Sequence, residues 1–422
     1  MEKGIIAGID LSEDYTQISY IDENKNVVSV SVSEDMQPYL IPTVMFFNYE
    51  VKEWSIGIEA VNKRKVENGI FAENLIADVL NSEVLEYDTF KFDADEVLAN
   101  YISGLLKIIR KYCRLDVSKL VISVSKPDEQ IMKALSGAME RLGFSADDYR
   151  IISHSESFIY YTLNQASEIW VNKVMMFDFG KKGLRYKSLF ATKGRKPLVA
   201  EVSDRDISDI VNMSMITTEK RKREADKAFD EFVSDELSKS AVSAIFLVGK
   251  GFDENWFPRT METMMGNRRI FKGYNMMSKG AGYAAKEVFV AETLGDYVFS
   301  CPGRTQINVY LAVEQYEHEH HLLLSKAGDN WYQAGASVQC IVNRTDVIKL
   351  IVQWPVTHES RNIFIDISKF PKRPNKTTRL NISMAFIDDS NFVIKARDLG
   401  FGDFFEASGM EITETINLES IR

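Results

Sequence analysis

Two aspartates in this chain end apolar strands of one design. Asp10 closes IIAGID and Asp178 closes VMMFD, and each is followed by a short polar loop, a second strand of alternating character and a third strand (VVSVSVS from Val27, PLVAEVS from Pro197). Carboxylates at such strand ends can hold water and a divalent cation, and tight loops beside them present backbone N–H groups to an anion. Together these capacities describe a grip on a polyphosphate. The loop residues argue the other way. Ser12, Glu13 and Asp14 follow the first strand, and unit charges about 4 Å apart interact by ~4 kcal/mol at intermediate dielectric, so two carboxylates there repel a polyphosphate. Lys181 and Lys182 follow Gly180 in the second loop and could still hold a phosphate as point charges.

The elements that position these loops read as α/β up to about residue 290. Leu98, Tyr101, Ile102, Leu105, Ile109 and Tyr112 form one stripe of a helix near Asp95 to Tyr112. The continuous apolar run LVISVS is a strand covered on both faces, followed by a helix that starts at Pro127 and stops before Gly143. The strand YRIIS and the helix ESFIYYTLNQ close the first half. In the second half a helix carrying Ala225, Phe229, Phe232, Val233 and Leu237 precedes the strand AIFLVG, and KGAGYAAKEV opens the last helix. From about Leu294 helical periodicity disappears, and LNISMAF and FVIKARD alternate around DDSN as a half-buried hairpin does.

Composition narrows the class. At 422 residues two or three domains are expected, and 45% hydrophobic with 27% charged residues is enough for a sizeable core. No stretch approaches the roughly 18 apolar residues of a membrane span, and MEKGIIAGID enters a strand at once without a signal-peptide pattern, so a cytoplasmic protein is expected. Three scattered cysteines, Cys113, Cys301 and Cys340, suit reduced thiols. A net charge of -10 gives no electrostatic reason to expect nucleic acid or an anionic membrane as partner. The run KRKR at 220–223 reads as a solvated helix face, and His318, His320 and His321 in EHEHH as solvent-facing rather than metal-binding.

In order and spacing the chain resembles the seventy-kilodalton heat-shock chaperones over nearly its whole length. GIDLSEDYTQ stands where that family has its first phosphate loop, FDFGKKG its second, FLVGKGFDENWFP its adenosine loop and SKGAGYAA the last helix of its nucleotide domain. IPTVMFFN, GIEAVNKRKVENGIFAENLI and VISVSKPDEQIMKALSGAMERLGF are similar to the intervening segments, and AGDNWYQAGASVQCIV to LNISMAFIDDSNFVIKARDLGFGDFF to its peptide-binding β-sandwich. The resemblance implies a two-lobed actin-like ATPase fold with duplicated ribonuclease-H-like halves over 1–290 (lobe I 1–170, lobe II 171–290), then an all-β sandwich over 291–422 without the family's helical lid.

Carried over residue by residue, the nucleotide site comprises Asp10, Ser12, Asp178, Gly180, Lys181, Lys182, Gly249, Gly251 and Gly280, and the peptide groove Ala336, Val338 and Cys340. The departures fall on the chemistry. Glu13 and Asp14 replace hydroxyl residues, Lys181 and Lys182 replace glycine and threonine, Lys250 fills a glycine position, and His154 stands where the family has its catalytic glutamate. The catalytic lysine aligns with Asn62 or Lys63, and the adenosine-facing helix motif only roughly with Lys220–Lys227. Each residue also has a plain structural role: Asp10 as a turn residue, His154 as a polar core residue, the glycines in turns and close packing. We expect a chaperone-like pseudo-ATPase acting as a polypeptide-binding or scaffold module, with no cofactor required and ATP/Mg2+ only if the degenerate site still binds; a slow, active ATP-dependent chaperone is the alternative. The loops should pair across the cleft, Glu13 and Asp14 with Lys181 and Lys182, in place of the nucleotide.

Overall fold

The computed structural model describes residues 4–32, 39–194 and 196–422. Residues 1–3, in the opening segment, and Ser33, the end of the expected third strand, lie outside this set. The chain divides into two compact units, one of Met1–Lys193 with Ala200–Asp296 and one of Gly194–Val199 with Tyr297–Arg422.

The first unit is mixed α/β and carries the same sheet twice. Its first half orders β1 (Ile5–Leu11), β2 (Tyr15–Ile21), β3 (Val27–Ser29), β4 (Val117–Val124) and β5 (Tyr149–Ser153) as β5-β4-β1-β2-β3, with Ile41–Pro42 also paired to β2. The second half orders β6 (Lys173–Gly180), β7 (Gly183–Ala191), β8 (Leu198–Asp206), β9 (Val242–Val248) and β10 (Arg269–Gly273) as β10-β9-β6-β7-β8. In both, the first strand runs antiparallel to the second and parallel to the fourth. Asp10 thus faces Gln17 and Ser123 in register, and Asp178 faces Arg185 and Val248.

Burial explains these strands. Leu120–Val124 of β4 and all of β9 are buried, as central strands covered on both faces must be. The second half closes on Phe177, Phe179, Tyr186, Phe229, Phe252 and Trp256, with Phe177 and Phe229 edge-to-face at 5.0 Å. Helix α1 (Ala94–Cys113) buries Leu98, Tyr101, Ile102, Leu105 and Ile109, but Tyr112 of the same stripe is exposed, where the helix runs out before the left-handed Arg114. Helix α2 (Glu129–Arg141) starts two residues after Pro127, because Asp128 caps it by accepting the Ile131 N–H at 3.0 Å. The remaining helices of this unit used below are α3 (His154–Leu163), α4 (Glu219–Lys239), α5 (Pro258–Met264) and α6 (Met276–Phe289).

The second unit is built almost wholly of strands. Strands β11 (Asn308–Gln315), β12 (His318–Ser325), β13 (Gly335–Ile341), β14 (Val347–Trp354), β15 (Glu359–Asp366), β16 (Arg379–Phe386), β17 (Asn391–Gly400) and β18 (Glu411–Asn417) form two antiparallel sheets, β12-β11-β14-β15 and β13-β16-β17-β18. Strict alternation, as in Leu380, Ile382, Met384 and Phe386, puts one face of β16 in the core. The DDSN turn joins β16 to β17 as the alternation of LNISMAF and FVIKARD predicts.

Candidate functional site

Both aspartate-tipped hairpins open onto one cavity of about 460 Å³ in the first unit. Asp10, Ser12, His154, Asp178, Gly180, Lys181, Lys182, Gly249 and Gly251 all line it, as do Glu13 and Asp14. Gly280 stands apart. It lies in α6, where a Cβ would come within 2.2 Å of the Ser157 carbonyl oxygen, so its role is the close crossing of α6 and α3. Gly249 has a role of each kind: its φ of +92° favours glycine, and a Cβ would press on the Phe179 carbonyl at 2.5 Å and on Asp178 Oδ1 at 3.1 Å.

The first loop is held from below by buried hydroxyls. Tyr101 donates to Thr16 Oγ1 at 2.8 Å, Thr16 and Thr43 are 3.0 Å apart, and Thr43 Oγ1 donates to the Ser12 carbonyl at 2.7 Å. His154 is set by the next feature along the sheet edge. It is the first residue of α3, whose capping box has the Glu156 N–H on Ser153 Oγ and the Ser153 N–H on Glu156 Oε1, both at 3.1 Å. This places His154 Nε2 2.9 Å from Asp10 Oδ1.

Asp10, Ser12 and His154 do not form a nucleophile relay. In such a relay one imidazole nitrogen holds the hydroxyl and the other the carboxylate. Here Ser12 Oγ donates to Asp10 Oδ1 at 2.8 Å and lies 3.4 Å from the same His154 Nε2 that meets Asp10. Ser12 and His154 instead converge on the same oxygen of Asp10, Oδ1. Asp178 keeps its carboxylate at the cavity wall. Burial raises its pKa above the usual carboxylate range; His154 works against that and Asp10 with it.

Across the cavity the hairpins are tied together. Asp14 Oδ2 accepts the Lys181 backbone N–H at 3.0 Å, and Lys181 Nζ lies 3.8 Å from Asp14 Oδ1. Lys182 Nζ pairs with Glu13. Lys250 donates to the Tyr15 hydroxyl at 2.5 Å and sits over the Tyr15 ring, 4.0 Å from its centroid. The acids and lysines of the two loops thus do meet, with Glu13 choosing Lys182 and Asp14 choosing Lys181. Lys63 is elsewhere, donating to Ser55 Oγ and pairing with Glu59, both at 2.7 Å. Lys220 and Lys227 pair with Glu224 and Glu231 of their own helix.

Sequence reasoning missed Tyr15, Thr16, Thr43 and Tyr101, whose partners lie tens of residues away. It also missed the capping box, which SHSE at 153–156 spells out. Leu40, Ile76, Leu80 and Ile131 give the cavity apolar walls. Among the described residues no group of three or more His, Cys, Asp or Glu side chains is placed to hold a metal ion. No helix among them is long and apolar enough to cross a membrane.

In the second unit Ala336, Val338 and Cys340 alternate on β13, the end strand of its sheet, opposite Met384, Ile382 and Leu380 of β16. Those partners are buried, so the three point to the core side, where they are half-buried. His318, His320 and His321 lie exposed on β12, with His321 Nε2 3.1 Å from Glu319.

Comparison with known families finds two matches. A model described as "Domain of unknown function (DUF8552)" matches residues 304–418, and one described as "Family of unknown function (DUF5716) C-terminal" matches residues 26–302. No curated protein matches the chain. Because the second of these models spans more than half of the 422 residues, the chain belongs to the family of unknown function DUF5716, described there as its C-terminal part.

Proposed function

We propose that the first unit is a two-lobed, actin-like fold of heat-shock-chaperone type that has become a pseudo-ATPase, and that the protein works as a polypeptide-binding or scaffold module. The observation that carries this reading is the Asp14 carboxylate on the Lys181 N–H. In a phosphate-gripping loop that backbone donor belongs to the ligand; here the protein's own anion takes it. The pairing of Glu13 with Lys182 adds a second internal tie, and His154 brings no negative charge to a cation. Phosphoryl transfer depends on positioning and charge clamping, so hydrolysis should be at background.

A slow, active ATP-dependent chaperone is the second reading, favoured by the cavity that remains beside Asp178 and Gly249. Thermal-shift titration with ATP and ADP, with and without magnesium, together with a steady-state phosphate-release assay, separates the two. The pseudo-ATPase reading predicts no nucleotide-dependent shift and no turnover; turnover abolished by Asp178→Asn overturns it. The polypeptide-binding part rests on the half-buried face of β13 at the sheet's end, where an extended segment could add as a strand. Peptide-array binding by the full chain tests that part, with capture of apolar extended peptides expected and its absence overturning it.

A further inference from the structure

The second unit has a pocket of its own, beyond the C-terminal end of β13, and its charge is opposite to that of the chain. Two loops form it: 342–346, between β13 and β14, and 367–378, between β15 and β16. Across 342–346 and 366–379 six basic residues stand against two acidic ones, Asp346 and Asp366, in a protein of net charge -10. The segment SKFPKRPNKTTR at 368–379 has five lysines and arginines and no acid.

The loops are locked to each other. Asn375 accepts the Arg344 N–H at 2.7 Å and donates to Asn343 Oδ1 at 2.8 Å, while Val342 donates to the Thr378 carbonyl at 2.8 Å and accepts the Lys376 N–H at 3.2 Å. Arg344 and Lys376 both hold left-handed backbone, with φ of +51° and +64°. Such conformations in non-glycine residues persist where the surroundings over-determine them, and they gather at ligand clamps. Arg373 is part of the wall, its side chain only 7% exposed, and it is fixed by two bonds to Asp398, 2.8 and 2.7 Å, and one to the Glu406 carbonyl at 2.7 Å. Its charge is thereby matched. Lys372 reaches Asp346 only loosely, at 3.4 Å, and Arg344 adds a further cation to the lining. The pocket opens to solvent and has a volume of about 320 Å³, within the roughly 300–1,000 Å³ of small-ligand sites.

We propose that this pocket binds a small soluble oxyanion, phosphoryl or carboxylate in type, through Arg344 and Lys372. Two cations carried on loops that the fold has already ordered suit such a ligand, because charge-assisted hydrogen bonds are the strong ones. The site is independent of the cleft in the first unit and stands whether or not that cleft binds nucleotide.

Calorimetric titration of the full chain with pyrophosphate and with citrate, in a phosphate-free buffer, tests it. Saturable one-to-one binding of at least one anion is expected, weakening with added KCl. Affinity should fall about tenfold or more in Arg344→Gln and in Lys372→Gln, both keeping the wild-type melting temperature. Stronger binding of pyrophosphate or of citrate identifies the ligand as phosphoryl or carboxylate. Binding should persist in Asp178→Asn, whose change lies in the cleft. No saturable binding of either anion overturns the proposal. So does equal affinity in wild type and both variants, or loss in Asp178→Asn with retention in Arg344→Gln, which would put the anion in the other unit.

Discussion

Asp14 and Lys181, 167 positions apart in sequence, are joined twice: the carboxylate accepts the lysine's backbone N–H at 3.0 Å, and the ammonium lies 3.8 Å from the other oxygen. The backbone bond matters more than the ion pair, since it consumes a donor that points toward the cavity. Removing the carboxylate returns that donor to solvent and takes one negative charge from the loop. Asp14→Ala with Glu13→Ala should therefore bind ATP at least about tenfold more tightly than the natural chain, as unit charges near 4 Å are worth several kcal/mol at intermediate dielectric. Thermal-shift titration reads it; equal responses in variant and natural chain would mean that these carboxylates do not guard the cleft.

The side-chain tie between Glu13 and Lys182 should contribute little to stability. Lys182 is 78% exposed and Glu13 29%, which makes this a surface pair of under about 1 kcal/mol. In a double-mutant cycle with Glu13→Lys and Lys182→Glu, read by chemical denaturation, the charge-swapped double variant should recover most of what each single change loses. The coupling should shrink with added salt. Additive effects in low salt would show that the two loops are tied only by the backbone bond.

The duplication was legible because an aspartate at a strand end followed by a tight loop leaves a local signature, and it recurs at Asp10 and Asp178. That acids and lysines of the two loops meet was also legible, from charge placed where glycines would be expected. The choice of partner was not: a two-residue hairpin loop between Gly180 and Gly183 sends Lys181 and Lys182 in different directions, and residue type does not encode which. The contact of His154 with Asp10 depends on where α3 begins at the end of β5, two strands from β1, which SHSE could have supplied through its capping signature. The Tyr101, Thr16 and Thr43 chain was illegible because buried hydroxyls carry no periodic pattern, and only the packed fold brings them together.

Asp178 should make stability depend on pH in an unusual direction. Its carboxyl has a folded-state pKa raised by burial above the value of about 3.9 for an unperturbed aspartate. Between that value and the raised one the folded chain holds a proton that the unfolded chain has lost, so this group's contribution to stability falls as pH rises through the window. Asp178→Asn should then be more stable than the natural chain at pH 7, with the difference shrinking as pH is lowered through the same window. Denaturation curves at several pH values measure it; a gap independent of pH would mean that the carboxylate is solvated through the cavity.

Lys187 and Asp204 make a different ion pair, with side chains only 3% and 9% exposed. Burial pushes the Lys187 ammonium below its usual range, against the pull of Asp204. For Asp204 burial works upward, yet Lys187 and Arg185 outweigh it and hold the carboxyl low. The partners are not equivalent. Without Lys187, Asp204 still has Arg185 at 2.9 Å; without Asp204, Lys187 keeps the Ser155 hydroxyl at 3.1 Å and the weaker pull of Asp178, against the like charge of Arg185. Breaking a buried pair so that one charge is left alone typically costs about 3–5 kcal/mol. Asp204→Asn should fall in that range, and Lys187→Met should cost clearly less. The stranded lysine also sets a pH signature. With a folded-state pKa below that of the unfolded chain, it binds fewer protons folded than unfolded in the window up to about 10.4, so stability rises with pH there. The deficit of Asp204→Asn should accordingly narrow between neutral pH and about pH 10, while that of Lys187→Met should widen, because the natural chain gains stability with pH through its own depressed Lys187 and this variant has no ammonium there. Equal losses in both variants, or parallel pH profiles, would show that the pair is hydrated and its two charges are interchangeable.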